Sequence, residues 1–420
     1  MRAAVNADIT IWMQVFVARQ AIFDRSREVF AYELLFRYDS ACNEFNGTDA
    51  TSATTQVIAN SLFAIGLDQL LGGKKAFINF SSNPLIAGLH SVLPPETMVV
   101  ELLESVEPDA ELEAVCHRLG ELGYKIALDD FVDQPDFEPL TRIATYIKVD
   151  LRLTTREEQE RLLRTYKPRG ISMLAEKVET HEEFEYALRA GYEYFQGYFF
   201  AKPVVLGGHQ IPAGKLTCLR ILREAQAADL DFTRLAEMIK EDVSLSYKLL
   251  RYVNSAAFYR RAEIHSIAQA LMVLGEQGFR RWVALAALPA LAKDKPGELV
   301  THSLVRAHFC DRLARVACLP NHHLGFLMGL FSLLDALLDV PLDQALRQVC
   351  AEPSICGALL GTCELAALSR VYQLACRYEI GDWDAAVELG LHLKIEASQI
   401  AQAYGESVLW AQQTLQATAL

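Results

Sequence analysis

Side chains that can hold a cation or move a proton recur at, or just before, the carboxyl ends of short apolar runs in the first half of this 420-residue chain. They are Glu33, Asn79, Glu101, Asp129 with Asp130, Lys148 with Asp150, Glu176 and Gln196. Four or five carboxylates with an amide oxygen make a hard-oxygen set suited to Mg2+ or Mn2+. Two such ions could activate a water and stabilise the charge developing on a phosphodiester. Lys148, set among acids, would keep its charge and could hold the attacking water or a phosphate oxygen. A buried ion pair with Asp150 or Glu176 is the structural alternative for it, and the two roles can coexist. Arg37, four residues after Glu33, suits a phosphate clamp because a guanidinium binds such oxygens in pairs. The densest signal is Lys125–Phe131, KIALDDF, where a strand-like run enters two adjacent aspartates. Asp129 and Asp130 either cap a turn and helix or sit at the ligand-binding end of a parallel strand. Two neighbouring carboxylates need a cation or a hydrogen-bond network to stay ionised together.

For these side chains to meet, the strands carrying them must end on one face. Strand-like runs lie near Val15, Val29, Ala76, Met98, Lys125, Tyr146, Ser172 and Tyr192. Helical patterns fall between them at Thr51–Ile65, Asp109–Leu122, Arg156–Tyr166 and His181–Ala190, the last preceded by a capping-box spacing from Thr180 to Glu183. Such alternation implies parallel strands with right-handed crossovers, and a closed (β/α) barrel would bring every strand end into one pocket. Val205–Lys215, rich in glycine and proline, reads as a linker. Beyond it the pattern is helical almost throughout, which predicts an all-α domain of eight to ten helices. The predicted class is therefore α/β plus all-α. Residues 1–12 form a flexible N-terminus, 13–204 a shortened barrel, 205–215 the linker and 216–420 the helical domain.

Composition narrows the function. A net charge of −13 argues against generic nucleic-acid binding, which needs basic faces. No apolar run approaches the roughly 20 residues that cross a bilayer, and the N-terminus lacks the core and cleavage site of a signal peptide. Nine cysteines without a CxxC pair fit a reducing cytoplasm.

The same residues, in order, resemble the EAL family, bacterial enzymes and receptors for cyclic di-GMP. The family's name motif stands here as Glu33-Leu34-Leu35, followed by Phe36 and Arg37. Gln20-Ala21-Ile22 is similar to its Gln-Pro-Ile, Asn79 sits in INFS, Glu101 and Glu104 in ELLE, and Asp129 and Asp130 in DDF. Lys148 falls in IKVD, Glu176 in AEKVET and Gln196 in QGYFFAKP. The resemblance implies metal ligands at Glu33, Asn79, Glu101 and Asp129, with Asp130, Lys148, Glu176 and Gln196 in the catalytic centre. It further implies substrate contacts at Gln20 and Arg37 and support from Glu104 and Asp150. SLSYKLLRYVNSAAF and SIAQALMVLGEQGFRRW resemble the HDOD domain, a relative of metal-dependent phosphohydrolases that has lost their His-Asp pair. Here Ser332-Leu333 stand in that place, and protein partners, not catalysis, are what this half implies.

Departures from the family pattern set the functional expectation. The family's loop after DDF carries glycines and helps dimerise the domain and order the metals. This chain has Phe131-Val132-Asp133-Gln134-Pro135, losing the free positive-φ positions and stiffening the turn. Lys177 replaces a glycine, several gaps are contracted, and the proline-rich loop after Arg37 is missing. These departures predict a non-catalytic signalling or scaffold protein with a degenerate EAL domain. The alternatives are an active cyclic di-GMP phosphodiesterase using Mg2+ or Mn2+, or a receptor that binds without cleaving. A homodimer is one state the resemblance allows.

Overall fold

The structure is a computed structural model, describing residues 15–38, 70–82, 85, 93–202, 213–226, 230–241, 243–254, 264–349, 351–362 and 366–418. The expected N-terminal segment, the helix at Thr51–Ile65 and most of the 205–215 linker lie outside them.

Eight strands close into a barrel in sequence order: β1 (Val15–Asp24), β2 (Val29–Tyr38), β3 (Lys75–Phe80), β4 (Met98–Leu102), β5 (Lys125–Leu128), β6 (Tyr146–Asp150), β7 (Ser172–Glu176) and β8 (Tyr194–Gln196). All eight coincide with the apolar runs of the sequence. From β2 to β8 neighbouring strands are parallel. The expectation of parallel strands throughout fails at β1, which is antiparallel to both β2 and β8. The reason is local. Four residues separate β1 from β2, too few for a helical crossover. They instead form a turn in which Asp24 Oδ1 accepts from the amides of Ser26 and Glu28 at 2.8 and 3.0 Å, with Arg27 in the left-handed region.

Around the barrel lie α1 (Ala110–Glu121), α2 (Glu138–Thr141), α3 (Arg156–Tyr166) and α4 (His181–Ala190). Thr155 with Glu158, and Thr180 with Glu183, complete capping boxes at α3 and α4. Inside the barrel, one layer of apolar side chains (Ile22, Ala31, Phe77, Val99, Ala127, Tyr146 and Leu174) forms a separate core. Side chains alternate faces along a strand, so residues two positions further on rise one pleat above this plug.

The second half holds twelve α-helices among the described residues, more than the eight to ten expected. They are α5 (Ala213–Ala225), α6 (Phe232–Glu241), α7 (Val243–Val253), α8 (Ile267–Leu291), α9 (Gly297–Val316), α10 (Leu324–Phe331), α11 (Leu334–Leu338), α12 (Leu342–Gln348), α13 (Pro353–Leu360), α14 (Ala366–Glu379), α15 (Trp383–Leu393) and α16 (Ala397–Thr418). Short helices account for the excess: α11 and α12 span five and seven residues, too few for a periodic pattern to separate them. The helices α9 and α10 cross at backbone contact. A Cβ on Gly329 would lie 2.5 Å from the carbonyl oxygen of Arg306, and one on Gly325 2.7 Å from that of Cys310. No helix among the described residues is long and apolar enough to cross a membrane.

Candidate metal centre

The polar side chains of the barrel mouth stand two residues beyond the plug on nearly every strand. Glu33 follows Ala31, Asn79 follows Phe77, Glu101 follows Val99, Asp129 follows Ala127, Lys148 follows Tyr146 and Glu176 follows Leu174. Gln196 pairs across the β1–β8 ladder with Ile22, and Gln20 pairs with Glu33 across β1–β2. A single pleat thus gathers side chains from all eight strands. Glu33 itself lies in the middle of β2, not at its end.

Lys148 is the hub. It is 1% exposed, and its Nζ contacts Glu33 Oε2 at 3.2 Å, Asp129 Oδ1 and Glu176 Oε1 at 2.8 Å each, and Glu101 Oε1. Burial alone would lower its pKa, but the surrounding carboxylates, Glu101 foremost, raise it well above the ordinary lysine value. Of its expected partners, Glu176 is present and Asp150 is not. Asp150 instead accepts from the amides of Arg152 and Leu153 at 2.7 and 3.1 Å and from Lys177 Nζ.

One ammonium does not neutralise this many acids. Burial and the neighbouring carboxylates push Glu176 up to about 8 and raise Glu101 well above its usual range. Burial also raises Asp130, reinforced by Asp129. Asp129 moves the other way: its burial is outweighed by Lys148 beside it. Asn79 Nδ2 donates to Glu33 Oε1 at 2.8 Å, and Gln196 Nε2 donates to Glu33 Oε2 at 2.7 Å and to Gln20 Oε1 at 2.9 Å.

Five buried oxygens at the mouth have no hydrogen-bond partner among the described residues: Asn79 Oδ1, Glu101 Oε2, Asp130 Oδ1, Glu176 Oε2 and Gln196 Oε1. All five are oxygen atoms, able to coordinate a cation. Oxygen atoms of Asp129, Asp130 and Glu176 lie within 4.8 Å of one another. A divalent cation is the group that satisfies several buried hard oxygens at once, so the donor set fits a hard divalent cation.

The remaining candidates separate. Glu104 is exposed on the turn after β4. The loop after Asp130 is anchored by α3. Asp133 accepts from Tyr166 Oη at 2.5 Å and pairs with Arg161, both on α3, while Phe131 meets Tyr166 edge to face at 5.3 Å. Arg37 lies on β2 opposite Phe16, and its side chain is outside the described residues. Lys177, visible in the sequence only as a replaced glycine, is a working member of the rim. It holds φ 53°, and its ammonium reaches Asp150 and, at 3.6 Å, Asp130. The signal for it was a bulky residue at a glycine position beside a strand-end acid.

The helical half has no such oxygen-rich cluster among the described residues. Ser332, at the place of the lost His-Asp pair, donates to Gly329 O at 2.7 Å and accepts from Arg306 at 3.2 Å. His302 and His308 are both partly buried, the first beside Arg306 and Glu379, the second stacked on Trp410.

The EAL domain family matches residues 13–203, and the HDOD domain family residues 211–349. The chain is 35% identical over 406 residues to YuxH, an uncharacterized protein of Bacillus subtilis (strain 168), covering 95% of this chain and 98% of that one. It is 34% identical over 401 residues to the cyclic di-GMP phosphodiesterase CdgJ of Vibrio cholerae serotype O1, covering 94% of this chain and 92% of that one. Among solved structures, a cyclic di-GMP-bound standalone EAL protein from Vibrio cholerae O395 is 28% identical, with a TM-score of 0.37, covering 45% of this chain and 92% of that chain. With both domain matches in register along one chain and two relatives alike over nearly its whole length, this protein belongs to the family in which an EAL domain is followed by an HDOD domain.

Proposed function

We propose that this chain is a divalent-metal-dependent cyclic di-GMP phosphodiesterase that opens the ring to the linear dinucleotide, and that its helical half makes protein contacts. The observation carrying this reading is the set of five buried oxygens at the barrel mouth, near Lys148, that have no hydrogen-bond partner among the described residues. The near full-length likeness to CdgJ supports the substrate. It departs from the non-catalytic expectation because the altered loop after Asp130 is anchored, with Asp133 doing the holding.

Glu33, Asn79, Glu101, Asp129, Asp130 and Glu176 are the residues that would hold Mg2+ or Mn2+. When bound there, such an ion supplies charge to the phosphodiester oxygens and makes a water more acidic. Lys148 contributes a fixed positive charge at the floor of the mouth, which favours the extra negative charge of a pentavalent phosphoryl group. Gln196, with both Gln20 and Glu33 engaged by its amide nitrogen, presents its free oxygen to orient a water or a ligand donor. Arg37 is assigned the phosphate clamp on its position after Glu33.

A receptor that binds without cleaving is the second reading. It is favoured by Lys177, whose ammonium already pairs with Asp130 and Asp150 and competes there with a cation. The purified full chain is incubated with cyclic di-GMP and Mn2+, and linear product and binding heat are measured. Product that disappears in Asp129→Asn supports the phosphodiesterase. Heat without product supports the receptor. Neither would sink both and leave only the contacts of the helical domain.

A further inference from the structure

Residues of the mouth lie one or two positions along the chain from Tyr32 and Tyr198, which bond into the helical domain. On β1, Gln20 faces the mouth while Arg19 turns outward, its guanidinium 4.3 Å over the Tyr32 ring. On β2, Glu33 faces the mouth while Tyr32 turns outward and donates to Glu298 Oε2 of α9 at 2.9 Å. After β8, Gln196 faces the mouth and Tyr198, two residues on, enters a buried cluster of the helical domain. Its hydroxyl lies 3.3 Å from each of Glu379 Oε2, Arg306 Nη2 and His302 Nε2. Tyr32, Glu298, Arg306 and Glu379 are all buried. These strands are also the ones the barrel closes least conventionally, through the antiparallel β1.

The link from Tyr198 to the mouth is stiff. Gly197 between them is pressed against Val178, where a Cβ would fall 2.1 Å from the carbonyl oxygen. Val178 N donates to Gln196 O at 3.0 Å, and Phe199 N donates to Val178 O at 3.1 Å. Val178 is two residues beyond Glu176. Gln196 and Glu176 are therefore fastened to one backbone knot, and that knot is fastened to the helical domain by Tyr198.

We propose that the helical domain sets the geometry of the barrel mouth. Glu298, acting through Tyr32, and the Arg306–Glu379 pair, acting through Tyr198, are positioning residues for Glu33, Gln20, Gln196 and Glu176. The HDOD half is then an integral part of the metal centre's outer support, and a partner that shifts α9 or α14 changes cation affinity at the mouth. This inference rests on the metal-centre reading given above.

The test uses the full-length protein and Mn2+ alone as probe, with calorimetric affinity and thermal melting both recorded. Tyr32→Phe and Tyr198→Phe each delete one hydroxyl and nothing at the mouth, and each is expected to weaken Mn2+ binding about tenfold while melting stays cooperative. Glu298→Gln still accepts from Tyr32 and is expected to bind nearer to wild type than Glu298→Ala, which should match Tyr32→Phe. Wild-type affinity in both Phe variants overturns the inference and leaves the metal centre intact. No Mn2+ heat in the wild-type chain overturns the metal-centre reading and this inference with it. If a variant also melts early, hydrogen exchange in the wild type decides: Mn2+ should slow amides in α9 and α14, and unchanged exchange there overturns the coupling.

Discussion

The barrel mouth and the Arg306 cluster both bury charge, and they do it with opposite bookkeeping. At the mouth one ammonium faces Glu33, Glu101, Asp129 and Glu176, and five buried oxygens have no hydrogen-bond partner among the described residues. In the helical domain one guanidinium faces one carboxylate: Arg306 Nε meets Glu379 Oε2 at 2.9 Å, with Ser332, His302 and Tyr198 taking further polar atoms. The contrast separates a site from a rivet. Unbalanced, acceptor-rich burial persists because something cationic completes it; balanced burial completes itself.

Removing the central cation of each region is the severest test of that contrast. Lys148→Met and Arg306→Met should each cost about 3–5 kcal/mol, because buried carboxylates lose their counter-charge. Urea unfolding with and without Mn2+ tells the two apart. Added Mn2+ is expected to recover much of the stability of Lys148→Met and none of that of Arg306→Met, and equal recovery would erase the distinction. In the unsubstituted chain, Mn2+ at a hundredfold excess over its Kd should add about 2.7 kcal/mol, reversed by a chelator.

Acid should strike the helical side. Burial holds His302 and His308 down to about 4, against the pull of Glu379 on the first and of Asp311 and Glu406 on the second. The folded state keeps both neutral while the unfolded chain takes up protons near the ordinary histidine value. Their contribution is therefore fully present above about pH 6.5 and lost as the pH falls towards 4, at up to about 1.4 kcal/mol per pH unit for each. Urea midpoints across that range should show the slope, and His302→Gln with His308→Gln should flatten it. The smallest effect is expected at the exposed pair of Arg27 with Glu185, where Glu185→Gln should change stability by less than about 1 kcal/mol. A larger loss there would mean that charge balance at the surface matters as it does inside.

The strands were legible because a buried strand announces itself as a short apolar run, and the mouth because its polar residues follow those runs at a fixed offset. The layered offset was there to be read: Ala31 then Glu33, Phe77 then Asn79, Leu174 then Glu176. The direction of β1 was missed because alternation was extended across a four-residue gap that only a turn can fill. The hold of Asp133 on the loop after Asp130 was not read, since sequence order does not reveal that Tyr166 and Arg161 of α3 come to meet it. The rivet was invisible. His302 and Arg306, one turn apart, look like an exposed polar stripe, and Glu379 is 73 residues downstream of Arg306. Tyr32 and Arg19, outward on their strands, and Tyr198, just past β8, were hidden in the same way, since such positions acquire meaning only once a second domain covers them.

The antiparallel β1 has a consequence for how the chain comes to be folded. The side of β1 away from β2 pairs with β8, Ile22 opposite Gln196, and the carbonyl of Val17 accepts from Tyr378 Oη, 361 residues downstream. As the chain leaves the ribosome, β1 and β2 can zip into a hairpin at once, yet the outer edge of β1 stays open until β8 emerges. Its apolar face stays bare until α14 does. Contacts this distant in sequence form slowly, and an open apolar edge invites pairing with another nascent chain. Chains halted before Gln196 should therefore aggregate through β1, so that the emergence of β8 protects the edge of β1 and that of α14 its apolar face.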